Sequence, residues 1–466
     1  MKIRRTLMRC LAAVVLALAG ASTAAGEEAP KYIFIFLADG GSIGGIEIAR
    51  SFNRVVHREG FTITDKIMRE GSLGLLTTEA ADSLTTDSAA AATALSAGCK
   101  ANIGALGICA DGRAAKSVMA RAREKGLRAA LVTTSTVYDA SPAAFVSHVS
   151  NRKDFEAILD QYLRAEPDLI LGGGREQFLP AGRPESARKD GKDRLAEFTA
   201  RGYAYASDKT ALAKASGAKL LGLFTPGEMS FDLDRNADKE PSLFEMTRAA
   251  IRFLGRDGRG FMAFIENENI DTAGHLTDVA SMVHAYRDFD RAVSLAYEFY
   301  LTHPRETLIL VTSDHDSGGV GFTLALEDLR LGSKRVSASE EDLKKIAAIP
   351  MSLRKAAAML GSRPTLEAVD SIMRDVFKGF TLAPDLKKML LAGQPPARNF
   401  YTDPAANVLG MMVANNTQVY WSSGGHTHQP VFVAALGAGA ERFRGYQENT
   451  DFAKHLFSLL GNPNSK

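Results

Sequence analysis

Short apolar runs bounded by polar breaks recur at residues 32–37, 73–77, 129–133, 168–171, 261–265, 307–311 and 430–436. Each is too short for a helix, and most are continuously apolar rather than alternating, which predicts strands buried on both faces. Between them, apolar positions spaced for a helical face at 114–124 and 279–300 predict helices. Strands alternating with helices predict an α/β fold, a largely parallel central sheet with helices on both faces. No internal repeat and no Pro/Gly/Ser-rich linker divides the chain, so residues 27–466 are read as one domain. Two stretches break the rhythm. Residues 176–240 are mixed and charged, and residues 325–400, with runs such as EEDLKK (340–345) and LRKAAAML (353–360), read as a small inserted helical subdomain.

Polar residues of one kind fall at the carboxyl ends of the predicted strands. Asp39 follows the first, Asp139 the third after a short loop, Glu266 closes the run FMAFIENE, and Asp314-His315 follows LILVT. In an open α/β sheet that edge is where ligands bind, so acids arriving there from separate strands are expected to converge. Asp271 and His275, four apart in IDTAGH, share a helix face, and His426 is offered from the glycine-rich turn WSSGGHTH. Carboxylates mixed with imidazoles suit zinc and magnesium, and their number makes a bimetallic site plausible. Ser88 opens a helix of almost pure alanine in TTDSAAAATA. It reads either as a nucleophile with backbone N–H groups aimed at an anion, or as an N-cap on a buried helix.

The 466 residues are 45% hydrophobic and 24% charged, which excludes disordered, collagen-like and coiled-coil classes. Lys plus Arg (56) nearly balance Asp plus Glu (54), so there is no basic field for a nucleic-acid surface. Residues 1–26 resemble a signal peptide: a basic start, the apolar run at 11–19 and small residues at 21–25. The alternative, a membrane anchor, meets a run shorter than the roughly 20 residues that span a bilayer. Export to the periplasm or beyond is therefore expected, with no membrane span left after signal removal. Beyond Cys10, Cys99 and Cys109 form an even pair in an oxidising compartment, and a disulfide and two free thiols both stay open.

These motifs, in order, resemble the alkaline phosphatases over about residues 30–437. The series is LADGG (37–41), TDSAAAATA (86–94), KANIGALG (100–107), DASPAAFVSHVSNR (139–152), DLILGGGR (168–175), Glu266 with Asp271 and His275, Asp314-His315, and GHT (425–427). The resemblance implies two Zn2+ and one Mg2+. Asp271, His275 and His426 would bind the first zinc; Asp39, Asp314, His315 and the Ser88 oxygen would bind the second. Asp39 would also reach magnesium, completed by Asp139, Ser141 and Glu266. Arg152 would clamp phosphoryl oxygens through its planar fork, positioned by Asp87. The implied activity is hydrolysis of small-molecule phosphate monoesters through a phosphoserine on Ser88, and the implied oligomer is compatible with a homodimer.

Two other functions compete: a phosphodiesterase of the same superfamily, and a non-catalytic exported protein that captures phosphate or metal. Ser88 is followed by four alanines and not by the x-Pro-x-Arg that a sulfatase requires. Gly172–Gly174 is read as a structural turn. His57, His284, His303 and His455 lack partners at ligand spacing, while His148 and His428 read as supporting groups and Trp421 as packing. One position departs from the family: after Asp271 its members carry Lys, His or Trp, and here the residue is Thr272.

Overall fold

A computed structural model of the chain describes residues 29–326, 335–400 and 402–461. The expected signal segment and residues 327–334 of the expected helical insertion lie outside the described residues. Ten strands form the main sheet: β1 (Tyr32–Ala38), β2 (Ser72–Leu76), β3 (Arg128–Thr136), β4 (Leu169–Gly173), β5 (Tyr203–Ala206), β6 (Lys219–Leu223), β7 (Phe261–Asn267), β8 (Thr307–Thr312), β9 (Val431–Gly437) and β10 (Gly445–Gln447). Their order is β10-β2-β9-β8-β1-β7-β3-β4-β6-β5. Only β9 runs against its neighbours, pairing antiparallel with both β2 and β8. The sheet is thus mixed but mostly parallel, with helices around it, as the alternation of runs predicts.

The seven predicted runs all become strands of this sheet. Three strands were not predicted. β5 and β6 lie inside the charged stretch 176–240, so part of that stretch extends the main sheet at its edge. β5 is short and its alternating YAYA is only half-buried, which weakens the apolar signal, whereas the apolar KLLGL of β6 is hidden inside a charged stretch. β10 is an exposed three-residue edge strand.

Alternate side chains of β1 feed two separate cores. Tyr32, Phe34, Phe36 and Ala38 join one, and Ile33, Ile35 and Leu37 the other. Burial on both faces is why the run is continuously apolar. The second core holds two helices that carry site residues, α1 (Ser88–Ala97) and α2 (Ala140–Ala144). The first holds α3 (Asn269–His275) and the long α4 (Val279–Thr302). Helices Glu340–Ala347, Leu353–Leu360, Leu366–Asp375 and Pro384–Ala392 set Leu343, Ile346, Leu353, Ile372 and Leu386 into that first core as well. These four helices thereby pack against the main body of the fold. Among the described residues no helix is long and apolar enough to cross a membrane.

Helices from both faces meet at the carboxyl ends of the parallel strands, with β1 central between β7 and β8. α2 is tied down from below. Phe145, directly after it, packs on the fully buried Phe264 of β7 with ring centroids 4.5 Å apart. Phe264→Ala is expected to cost about 3–5 kcal/mol, the range for removing a buried aromatic ring, in a denaturant-unfolding titration. A loss below about 1 kcal/mol, the level of an ordinary surface substitution, would show that this contact does not anchor α2.

Candidate active site

Asp39 is the first residue past β1; Leu37, two residues before it, is in register with Glu266 of β7 and with Thr312, the last residue of β8. The turn after β8 is tied to the one after β1: Gly40 N–H donates to Asp314 Oδ1 (3.2 Å) and Gly41 N–H to Ser313 Oγ (2.9 Å). Gly40 has φ +67°, and a Cβ there would lie 2.6 Å from Asp271 Oδ1 and 2.7 Å from Asp271 Cα. Only glycine lets α3 come this close to the end of β1.

Two donor clusters result. In one, His315 Nε2 lies 3.6 Å from Asp39 Oδ1, 3.2 Å from Asp314 Oδ2 and 3.3 Å from Ser88 Oγ. Both of those carboxylate oxygens are buried without a hydrogen-bond donor. In the other, His275 Nε2 lies 3.2 Å from Asp271 Oδ2 and 3.1 Å from His426 Nε2, and His426 Nε2 lies 3.6 Å from Asp271 Oδ1. The His315 and His426 rings stack at 3.6 Å, joining the clusters. His275 Nδ1 sits 2.7 Å from Gly424 O and His426 Nδ1 2.7 Å from Thr86 O. A carbonyl at Nδ1 fixes the tautomer that carries its proton there, leaving the Nε2 lone pair aimed inward.

His426 reaches this edge because β9 is antiparallel, so the residues that precede it emerge where the parallel strands end. His426–Thr427 also pairs with Asp316–Ser317. Ser317 Oγ donates to Asp271 Oδ1, a support that no spacing in the sequence announces.

A third group lies beside Asp39. Ser141 Oγ donates to Asp39 Oδ2 (3.2 Å) and also bonds Glu266, whose Oε2 accepts from Thr133 Oγ1 at 2.5 Å. Asp139 caps α2, accepting from Ala140 N–H, and takes a further bond from Ser135 Oγ at 2.8 Å. Arg152 donates to Asp139 Oδ1 (2.9 Å) and to Asp87 Oδ2 (3.3 Å). Asp87, not Ser88, is the N-cap of α1, accepting from Ala90 N–H. The cap reading of Ser88 thereby falls, and its Oγ is left facing His315.

Every site residue singled out from the sequence belongs to this constellation. The remaining histidines do other things: His57 and His284 pack on Phe52, His303 on Phe299, and His455 on Phe443. His148 Nε2 bonds Ala115 O at 2.8 Å and His428 Nδ1 bonds Leu84 O. Trp421 is buried. Gly172 and Gly173 finish β4, and Gly174 turns at φ +95°. Thr272 Oγ1 donates to Glu268 Oε1 (2.6 Å), a buried carboxyl that sequence reading missed.

Crowded anions dominate the electrostatics. Burial, then the charges of Asp314 and Asp271, raise Asp39 well above the usual carboxylate range. Burial raises Glu266 to about 8, and burial with Asp271 raises Asp314 to about 7. Burial works hardest against ionised Asp271, but His275, His426 and His315 together hold it low; in return Asp271 lifts His275 to about 9. The groups Asp39, Asp314, His315 and Asp271, His315, His426 each offer ligand atoms within 4.8 Å of one another. Unpartnered carboxylate oxygens and inward imidazole lone pairs are donors suited to divalent cations, so the residues fit the metals expected here.

A serine at a helix N-terminus, an arginine paired with two aspartates, and clustered acids and imidazoles at this sheet edge form a site suited to phosphate esters. The alkaline phosphatase family model matches residues 30–461. Alkaline phosphatase 3 of Bacillus subtilis is 32% identical over 389 residues, covering 80% of this chain and 77% of that protein. The repressible alkaline phosphatase of Saccharomyces cerevisiae is 35% identical over 315 residues, covering 62% and 55%. The crystal structure of Thermus thermophilus alkaline phosphatase superposes with a TM-score of 0.84 at 28% identity, covering 95% of each chain. The chain belongs to the alkaline phosphatase family and is a phosphoric monoester hydrolase.

The pKa directions set a pH dependence. His275 holds its proton more tightly folded (about 9) than unfolded, so its stabilising contribution is present below its ordinary value near 6.5 and lost as pH rises through 9. Asp314 and Glu266, raised to about 7 and 8, act in the same sense. The metal-free protein should therefore lose stability from pH 6 to pH 9. Cation binding, which displaces the His275 proton, should strengthen by up to about tenfold per pH unit over that range. Competitive chelator titrations at several pH values, with proton release followed calorimetrically, check this; a pH-independent affinity would contradict it.

Proposed function

We propose that the protein is an exported alkaline phosphatase using two Zn2+ and one Mg2+, which hydrolyses phosphate monoesters through a phosphoserine on Ser88. The observation that carries this reading is Ser88 Oγ, 3.3 Å from His315 Nε2 where the two donor clusters meet, at the start of an alanine helix. Asp271, His275 and His426 would hold one zinc; Asp39, Asp314, His315 and Ser88 Oγ the other; Asp39, Asp139, Ser141 and Glu266 the magnesium. When bound, these ions supply the charge that acidifies the serine hydroxyl and water and offsets the phosphoryl oxygens.

The chain's own residues do the rest. Ser88 Oγ bonds to phosphorus as the ester P–O bond breaks; the serine proton passes to solvent and the departing alkoxide takes one from solvent, so the alcohol leaves. Water then attacks the same phosphorus from the opposite side, phosphate departs, and the oxygen returns to Ser88. The α1 N-terminus turns backbone N–H groups toward the phosphoryl group, and its alanines leave room for it. Arg152, held ionised by Asp139 and Asp87 against the cost of its burial, grips two phosphoryl oxygens. The basic and apolar segment at residues 1–26 supports export, with a single catalytic domain remaining.

Ser88→Ala should abolish the phosphoenzyme trapped at acid pH and nearly all turnover of p-nitrophenyl phosphate. Labelled phosphate trapped equally on the alanine variant would remove Ser88 as nucleophile. Turnover of bis-p-nitrophenyl phosphate at a comparable rate would favour the diesterase reading, and turnover of neither ester the binding protein.

Thr272 also predicts how product is held. Its hydroxyl is committed to Glu268, so no cation stands there to share the phosphate charge. Inorganic phosphate should inhibit weakly. Thr272→Lys should tighten that inhibition by about tenfold, as one charge about 6 Å away at an effective dielectric near 20 allows. An unchanged inhibition constant would mean that this position does not face the phosphate.

A further inference from the structure

Cysteines 99 and 109 form a disulfide. It closes a loop that starts just past Gly98, the left-handed C-cap of α1, and returns beside the segment that bears Arg152. Gly104, midway round this loop, touches both members of the clamp. Its N–H donates to Asp87 Oδ1 (3.2 Å) and Oδ2 (3.1 Å), and its carbonyl accepts from Arg152 N–H (2.8 Å). Two residues on, Leu106 exchanges both backbone bonds with Val149, three residues before Arg152. Thr93 of α1 is bonded to the same loop, donating to Ala105 O (3.1 Å) and accepting from Gly107 N–H (2.9 Å). The loop is thus wired to the serine's helix, to the acid that holds the arginine, and to the arginine's own backbone.

We propose that the Cys99–Cys109 disulfide is a positioning element for phosphate binding: by fixing the loop ends it holds Gly104, and Gly104 holds Asp87 and Arg152 in register with Ser88. The proposal rests on the reading of Arg152 as the phosphate clamp. The physical reason is the narrow tolerance of the guanidinium fork, whose two parallel bonds are lost with a small shift of the backbone. Gly104 has φ +82° and nothing within 4 Å of where a Cβ would stand. Its glycine therefore serves backbone conformation and not side-chain clearance. The other end of the loop is braced independently, with Lys100 Nζ 3.0 Å from Glu79 Oε1 and 3.2 Å from Glu448 Oε2. Loss of the disulfide should therefore loosen the Gly104 side more than it unfolds the region.

The test is a double-mutant cycle on the metal-loaded enzyme. Cys99→Ser with Cys109→Ser, in the parent, should lower kcat/KM for p-nitrophenyl phosphate and raise the phosphate inhibition constant, each by about tenfold, the scale of a sub-ångström misplacement. In an Arg152→Ala background the same pair of substitutions should change neither by more than about twofold, because the group they position is gone. Thermal stability should fall in both backgrounds and does not discriminate. Equal losses in both backgrounds, or none in the parent, overturn the positioning role and leave the function of Arg152 standing. If Arg152→Ala alone leaves kcat/KM unchanged, the clamp reading and the proposal fail together. Should the serine pair not fold, Gly104→Ala with the disulfide intact strains the same backbone position. It is expected to give the same pattern, and additivity with Arg152→Ala again overturns the proposal.

Discussion

Buried negative charge at one edge of the sheet is the constraint on which the rest of the structure turns. Asp39, Glu266, Asp271 and Asp314 are each less than a tenth exposed, and three of them resist ionisation because of burial and one another. Carboxylates so placed ionise together only when positive charge is shared among them, so the fold presents a site matched to cations. The neighbouring architecture serves that arrangement. His275 and His426 are anchored through Nδ1 to carbonyls, Gly40 allows a side chain of α3 against the end of β1, and hydroxyls of Ser141, Thr133 and Ser317 satisfy some carboxylate oxygens while leaving others free.

The same edge also offers positive charge, which suits the proposed binding of an anion. Among the described residues it includes the N-terminus of α1 and the guanidinium of Arg152, which two aspartates hold in place. Asp87 does double duty, capping the helix that Ser88 opens and bonding Arg152, so the serine's helix and the arginine share one carboxylate. That economy makes the geometry sensitive to whatever fixes Asp87. The loop between Cys99 and Cys109 is the part of the fold that does so from outside the sheet.

Thr272 sits between the ligand-type residues of α3 without joining them. Its small hydroxyl turns to the buried Glu268, and the two satisfy one another. Asp271 and His275, on the same helix, are held instead by Ser317 and the carbonyl of Gly424.

By itself the sequence determined the strands whose two faces are buried and the acids that end them, because continuous apolar runs and abrupt polar stops are local features. Order of motifs sufficed to identify the family. The tertiary structure alone decided the remainder. β5 and β10 carry little apolar signal, because short or exposed edge strands are stabilised by pairing with a neighbour; β6, between β4 and β5, has an apolar run that lies inside a charged stretch. That His426 joins Asp271 depends on the antiparallel sense of β9, a property of sheet assembly and not of the residues around the histidine. Ser317, Glu268 and Gly104 are ordinary loop or helix residues until distant segments meet them. Whether Ser88 capped α1 or stood free stayed open in the sequence, since a serine before an alanine run suits both; the bond from Ala90 N–H to Asp87 makes Asp87 the cap and leaves the serine hydroxyl beside His315.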